Sequence, residues 1–155
     1  MRLGSRARAS DSARPPKRRF RPWVLVGYFV ILGAAGALAL GYVDPESRIP
    51  AVTAVVPGFY DHASNLLLSC VLVLMYGLVR LLQGARLREV TMFALVVVAA
   101  NYLYEGGLTL WNTTDLVDAH YGAVGALLGW AFFGVVARHG MAPAVDPASG
   151  ESAPE

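Results

Sequence analysis

The residues able to do chemistry crowd into one stretch, Asn101 to Trp130, NYLYEGGLTLWNTTDLVDAHYGAVGALLGW. Asn101, Tyr104, Glu105, Asn112, Asp115, Asp118 and His120 stand there between two runs too apolar to be anything but membrane spans. Carboxylates at the lip of a bilayer cost free energy unless they face a partner, water or a ligand, so these acids are the first candidates for a site. A second polar group opens an earlier apolar run. Asp61, Asn65 and Ser69 recur at i, i+4 and i+8 and share one stripe of a helix, while His62 lies about 100° away.

Two chemistries fit these residue types. As a binding mouth, Asp61, Asn65, Asn101, Glu105, Asp115 and Asp118 would accept hydrogen bonds from a lipid-linked or amphiphilic ligand, with Tyr104, Trp111 and Tyr121 as walls. As a metal centre, His62 and His120 with Asp61, Glu105 or Asp118 would offer nitrogen and oxygen donors to a divalent ion that activates water. No HExxH or HxxxH spacing supports the metal, and His120 lies about 160° from Asp118 on an ideal helix. No other cofactor is expected. A purely structural role competes with both: Thr114 or Asp115 would cap the helix that follows, and Asp118 in its first turn would suit the helix dipole.

The elements that position these residues follow from composition and breaks. The chain of 155 residues is 55% apolar and 15% charged, with mean hydropathy +0.48. That leaves too little polar side chain to coat a soluble globule. Residues 1–21 carry eight basic residues and one acid, and read as a disordered tail attracted to anionic lipid. A nucleic-acid role would need aromatic interleaving and a folded platform, which this tail lacks. Spans are expected at about 23–42, 63–82, 90–105 and 119–136; the first is longer than a usual signal-peptide core and is read as uncleaved. Pro45, Pro50 and Pro57 break up residues 43–60, whose apolar part would lie in the interface as a partial lid. Residues 139–155, rich in Pro, Ala, Ser and acids, read as a second disordered tail.

Within the spans, Gly33 and Gly41 on the first, and Gly122, Gly125 and Gly129 on the fourth, stand at spacings that let another helix come close. The fourth span could also pair with a second copy of the chain. Cys70 lies among leucines and valines and reads as packing, and the serines form no nucleophile elbow. With the amino terminus cytoplasmic, Arg48 is the one basic residue of 13 left outside, and Asp44, Glu46, Asp61, Glu105, Asp115 and Asp118 gather at the outer mouth. The expected fold is therefore all-α: an integral membrane four-helix bundle over residues 22–138, with both termini cytoplasmic.

The order of these motifs resembles VanZ-like membrane proteins over roughly residues 60–130. Asp61-His62-Ala63-Ser64-Asn65 looks like that family's D-K-x-x-H opening, Glu105 is similar to its acid at the end of the third span, and Asp118 followed by Gly125-Ala126-Leu127-Leu128-Gly129-Trp130 looks like its D-x(6)-G-A-x-x-G close. His62 replaces the family's lysine, Asn65 its histidine and Leu108 its glutamine, and the Pro-Gly-Arg turn is absent. The resemblance implies a multi-pass protein of the cell membrane in an envelope context, of the kind associated with reduced sensitivity to glycopeptide antibiotics. A small non-enzymatic module is the expectation that joins this to the acids.

Overall fold

In the computed structural model, residues 18–107 and 115–143 are described. The order of elements is β1 (Arg18–Phe20), α1 (Pro22–Val43), a short 3-10 turn (Pro45–Ser47), α2 (Pro50–Val55), α3 (Phe59–Leu82), α4 (Leu87–Gly107), α5 (Leu116–Val135) and β2 (Met141–Pro143). Four of the five helices, α1, α3, α4 and α5, are long and apolar enough to cross a membrane. At about 1.5 Å per residue their 20 to 24 residues span about 30 to 36 Å, which matches a hydrocarbon core of about 30 Å. Their outward faces agree with that: Val26, Phe29, Leu68, Met75, Leu103 and Leu127 are all more than half exposed. The chain is built as a multi-pass membrane protein.

Local chemistry sets the boundaries. Pro22 opens α1 at a position where the missing N–H is no loss. Asp44 and Pro45 stop it, and the Asp44 carboxylate then accepts from the Glu46 N–H at 3.1 Å and the Ser47 hydroxyl at 2.7 Å. The prolines limit α2 to six residues, and Gly58, at φ +77, supplies the left-handed turn that admits α3. At its far end α3 closes in a Schellman turn: Gly84, at φ +84, donates to Leu81 O, and Ala85 N donates to Arg80 O. The helix pattern thus begins earlier than expected in α3 (residue 59) and α4 (residue 87), because polar first-turn residues extend each helix beyond its uncharged run.

Helix α3 is the hub, packed against α1, α4 and α5. Tyr60, Ala63, Leu67, Cys70, Leu74, Gly77 and Leu81 are buried along it at alternating steps of three and four, and Ala119, Gly122, Ala126, Gly129, Phe133 and Val136 repeat the pattern toward and past the end of α5. Contacts fix the directions. His62 meets Asp118, Leu66 meets Gly125 and Gly77 meets Phe133, so α3 and α5 run the same way. Asn101 meets Ser69 and Gly122, while Trp130 Nε1 donates to Thr91 Oγ1 at 2.9 Å, so α4 runs against both. Gly41 against Tyr60 brings the end of α1 to the start of α3.

Glycine lets α5 come close to both α3 and α4. A Cβ on Gly125 would collide with the Leu66 carbonyl, one on Gly122 with the Asn101 amide, and one on Gly129 would stand 3.0 Å from the Cys70 carbonyl. In the reverse direction, Gly77 on α3 leaves room for the fully buried Phe133 ring. Gly41 likewise admits the Tyr60 ring. Gly33 does not fit this expectation: nothing lies within 4 Å of the position its Cβ would take, because it sits on a face of α1 that the described residues leave open.

Residues 18–21 and 139–143, expected to fall within disordered tails, are ordered. Arg18, Arg19 and Phe20 pair antiparallel with Pro143, Ala142 and Met141, and the Arg21 N–H donates to Gly140 O at 2.9 Å. Val136–Gly140 continues α5 in a wider π turn that brings Gly140 against Val24. Backbone pairing decided this; three extended residues on either side of two helices carry no periodic signal of their own.

Candidate functional site

The acid-rich end of the helices is assembled by α3, α4 and α5. Asp115 caps α5, its Oδ1 accepting from the Val117 N–H at 2.9 Å. Its second oxygen is turned elsewhere and lies 3.8 Å from His62 Nδ1. One turn on, Asp118 Oδ1 takes the hydrogen bond of His62 Nδ1 at 2.7 Å, across from α5 to α3. His62 and Asp118 are half-buried, and Asp115 is more open. The Tyr121 ring stands 5.3 Å from the imidazole, tilted by 41°, and 5.9 Å from Phe59, so an aromatic pair flanks the histidine.

This is the group whose ligand atoms converge among the described residues: one from each of His62, Asp115 and Asp118, all within 4.8 Å of one another. Neither lysine nor arginine among those residues reaches Asp115 or Asp118. Arg48, the basic side chain of this end, is committed to Tyr60 and α1. Its Nε donates to Gly41 O at 3.2 Å and its guanidinium lies 5.3 Å over the Tyr60 ring. Among the described residues, two carboxylates therefore face a single imidazole with no lysine or arginine beside them.

The other sequence candidates separate into distinct places. Asp61 is exposed and begins the outward row that continues through Leu68, Leu72, Met75 and Val79, so it turns away from α5 while His62 turns toward it. Asn65 is half-buried on α3. Ser69, from the same stripe, is buried and accepts from Asn101 Nδ2 at 3.0 Å; that amide also donates to Val97 O at 2.8 Å. Asn101 is thus a link between α3 and α4 wedged against Gly122, set apart from the mouth. Glu105 is buried, one turn beyond Asn101 on the inward row of α4. Tyr104 is 53% exposed and lies off that row.

Of the residues read from the sequence as possible metal ligands, only His62 and Asp118 belong to the converging group, beside Asp115. His120 is exposed, bonded to Leu116 O and edge-on to Tyr102 at 5.5 Å, on the outward row of α5 with Val124 and Leu128. It cannot share an ion with His62, because α5 presents Asp118 and Tyr121 to α3 and His120 to the other side. Asp115, expected as a cap and as a ligand-binding acid but not as a metal ligand, supplies the third atom. The signal that would have found it is its spacing: Asp115 and Asp118, at i and i+3, share one face of the first turn. Trp111, Asn112 and Thr114 lie outside the described residues.

Outside the helices, the Asp44 carboxyl is held below the ordinary aspartate value of 3.8, first by the Ser47 hydroxyl and then by the Glu46 N–H. No protein-family model, curated protein or solved structure matches this chain.

Proposed function

We propose that the chain is a non-enzymatic module of the cell membrane, with both termini cytoplasmic, that binds the polar head of a lipid-linked or amphiphilic ligand at its acid-rich outer mouth. The observation that carries this reading is the convergence of Asp115 and Asp118 on His62 from a neighbouring helix, with no lysine or arginine among the described residues to balance them. A headgroup that brings a positive charge or several N–H and O–H donors would complement these two acids, and carboxylates accept such bonds at roughly twice the strength of neutral acceptors. Tyr121 and Phe59 give the apolar wall for the part of the ligand nearest the bilayer. The segregation of Arg80, Arg86, Arg88 and Arg138 to the opposite end of the helices supports the orientation, and the VanZ-like order of motifs supports the envelope context.

A second reading rests on the same three ligand atoms. One imidazole nitrogen and two carboxylate oxygens within 4.8 Å are a donor set suited to a divalent metal such as zinc or manganese, and would make the protein a metal-assisted enzyme on a lipid-linked substrate. Lipid and metal analysis of the protein purified in mild detergent separates the two. Wild type is compared with an Asp115→Asn, Asp118→Asn variant. An organic ligand that travels with wild type and leaves in the variant is the expected result, stoichiometric metal would favour the second reading, and identical contents in both proteins would reject both.

A further inference from the structure

At the opposite end of the helices from the acids, a cleft of about 550 Å³ opens between the end of α3 and the start of α4. Its floor is the stacked pair Tyr76 and Phe93, whose rings lie 4.0 Å apart and 11° from parallel. Met92 and Val96 form an apolar wall that faces outward, 55% and 60% exposed, and Arg86 and Arg88 stand at the rim. The volume falls within the roughly 300–1,000 Å³ of small-molecule clefts.

The charges at this rim do not cancel. Glu89, the acid of the cleft, is taken by Arg80, which bonds it through both Nε and Nη2 while its Nη1 donates to Gln83 at 2.9 Å. Arg86 and Arg88 are exposed and form no ion pair among the described residues. Two guanidiniums at the end of an outward apolar wall is the pattern of an amphiphile of opposite charge. Arginine also suits phosphate by geometry, offering paired N–H donors to its oxygens.

We infer that this cleft binds an anionic phospholipid, with the phosphate headgroup on Arg86 and Arg88 and an acyl chain along Met92 and Val96. The site is separate from the acid-rich mouth and does not depend on which end is cytoplasmic. It also differs from the attraction to anionic lipid expected of the basic residues 1–21, since it has a shaped wall as well as charge.

Native mass spectrometry in mild detergent, with phosphatidylglycerol or phosphatidylcholine added, tests the inference. Wild type should hold one phosphatidylglycerol in preference to phosphatidylcholine, by about thirtyfold if each arginine contributes as a basic residue at a membrane surface does. An Arg86→Gln, Arg88→Gln variant should lose that preference, whereas a charge-matched Arg19→Gln, Arg138→Gln variant and a chain lacking residues 2–17 should keep it. Val96→Trp, which leaves every charge in place and fills the wall, should also weaken phosphatidylglycerol retention at least tenfold. Retained preference in the Arg86, Arg88 variant, full retention in Val96→Trp, or equal loss in the charge-matched control would each overturn the inference.

Discussion

Asp115 and Asp118 have different work to do, and substitution can separate it. Asparagine caps helices about as well as aspartate, so Asp115→Asn should keep the α5 N-cap and cost under about 0.5 kcal/mol of stability. Asp118→Asn should leave the cap untouched and abolish ligand retention, because the carboxylate that faces His62 is gone. Thermal melting alongside co-purification reads both; a large melting loss without change in retention would make Asp118 a structural residue only. Asp44 gives a pH test outside the membrane. Its folded value is depressed, so its contribution to the turn at Pro45–Ser47 is present above the ordinary aspartate range and is lost as pH falls through the lower folded value. A carboxyl-carbon titration by NMR should find the Asp44 midpoint below 3.8, and Ser47→Ala should move it up. The candidate acids were legible in the sequence because charge is conspicuous beside apolar runs. Their partners were not: His62 and Asp118 lie 56 residues apart, and a helical wheel places Asp61 and His62 about 100° from each other without saying which one faces α5.

Among the elements, the four long helices were legible from uninterrupted apolar length, and so were the prolines that keep α2 short. Their packing faces were only partly so. Gly33 and Gly125 both belong to small-residue repeats, yet one is open and the other lies against a backbone carbonyl, since spacing defines a stripe and the neighbouring helix decides whether it is used. Alanine at the two positions should therefore act in opposite directions. Gly125→Ala should destabilise by about 1–3 kcal/mol through overpacking, while Gly33→Ala should be neutral or stabilise by up to about 1 kcal/mol through helix propensity. Melting curves of the two variants in one detergent check this, and equal losses would contradict the α3–α5 geometry. Phe133→Ala, which empties the space that Gly77 makes, should cost about 3–5 kcal/mol.

Taken as a whole molecule, the described residues place Asp115 and Asp118 at one end of the long helices and the unpaired Arg86 and Arg88 at the other, with an apolar cluster between them. That polarity gives the proposed orientation a direct check. In a Cys70→Ala background, an impermeant maleimide should label Ser47→Cys in intact cells and Gln83→Cys only after permeabilisation, and the reverse order would invert the account. The central claim, a ligand headgroup at His62, Asp115 and Asp118, is tested most directly by photocrosslinking in the native membrane. Tyr121, beside the imidazole, is replaced by p-benzoylphenylalanine, with Val124 on the outward face as the control position. The account predicts one defined amphiphile crosslinked at position 121 that disappears in the Asp115→Asn, Asp118→Asn background and does not form at position 124. The same bulk lipids captured at both positions, unchanged when the acids are neutralised, would contradict it.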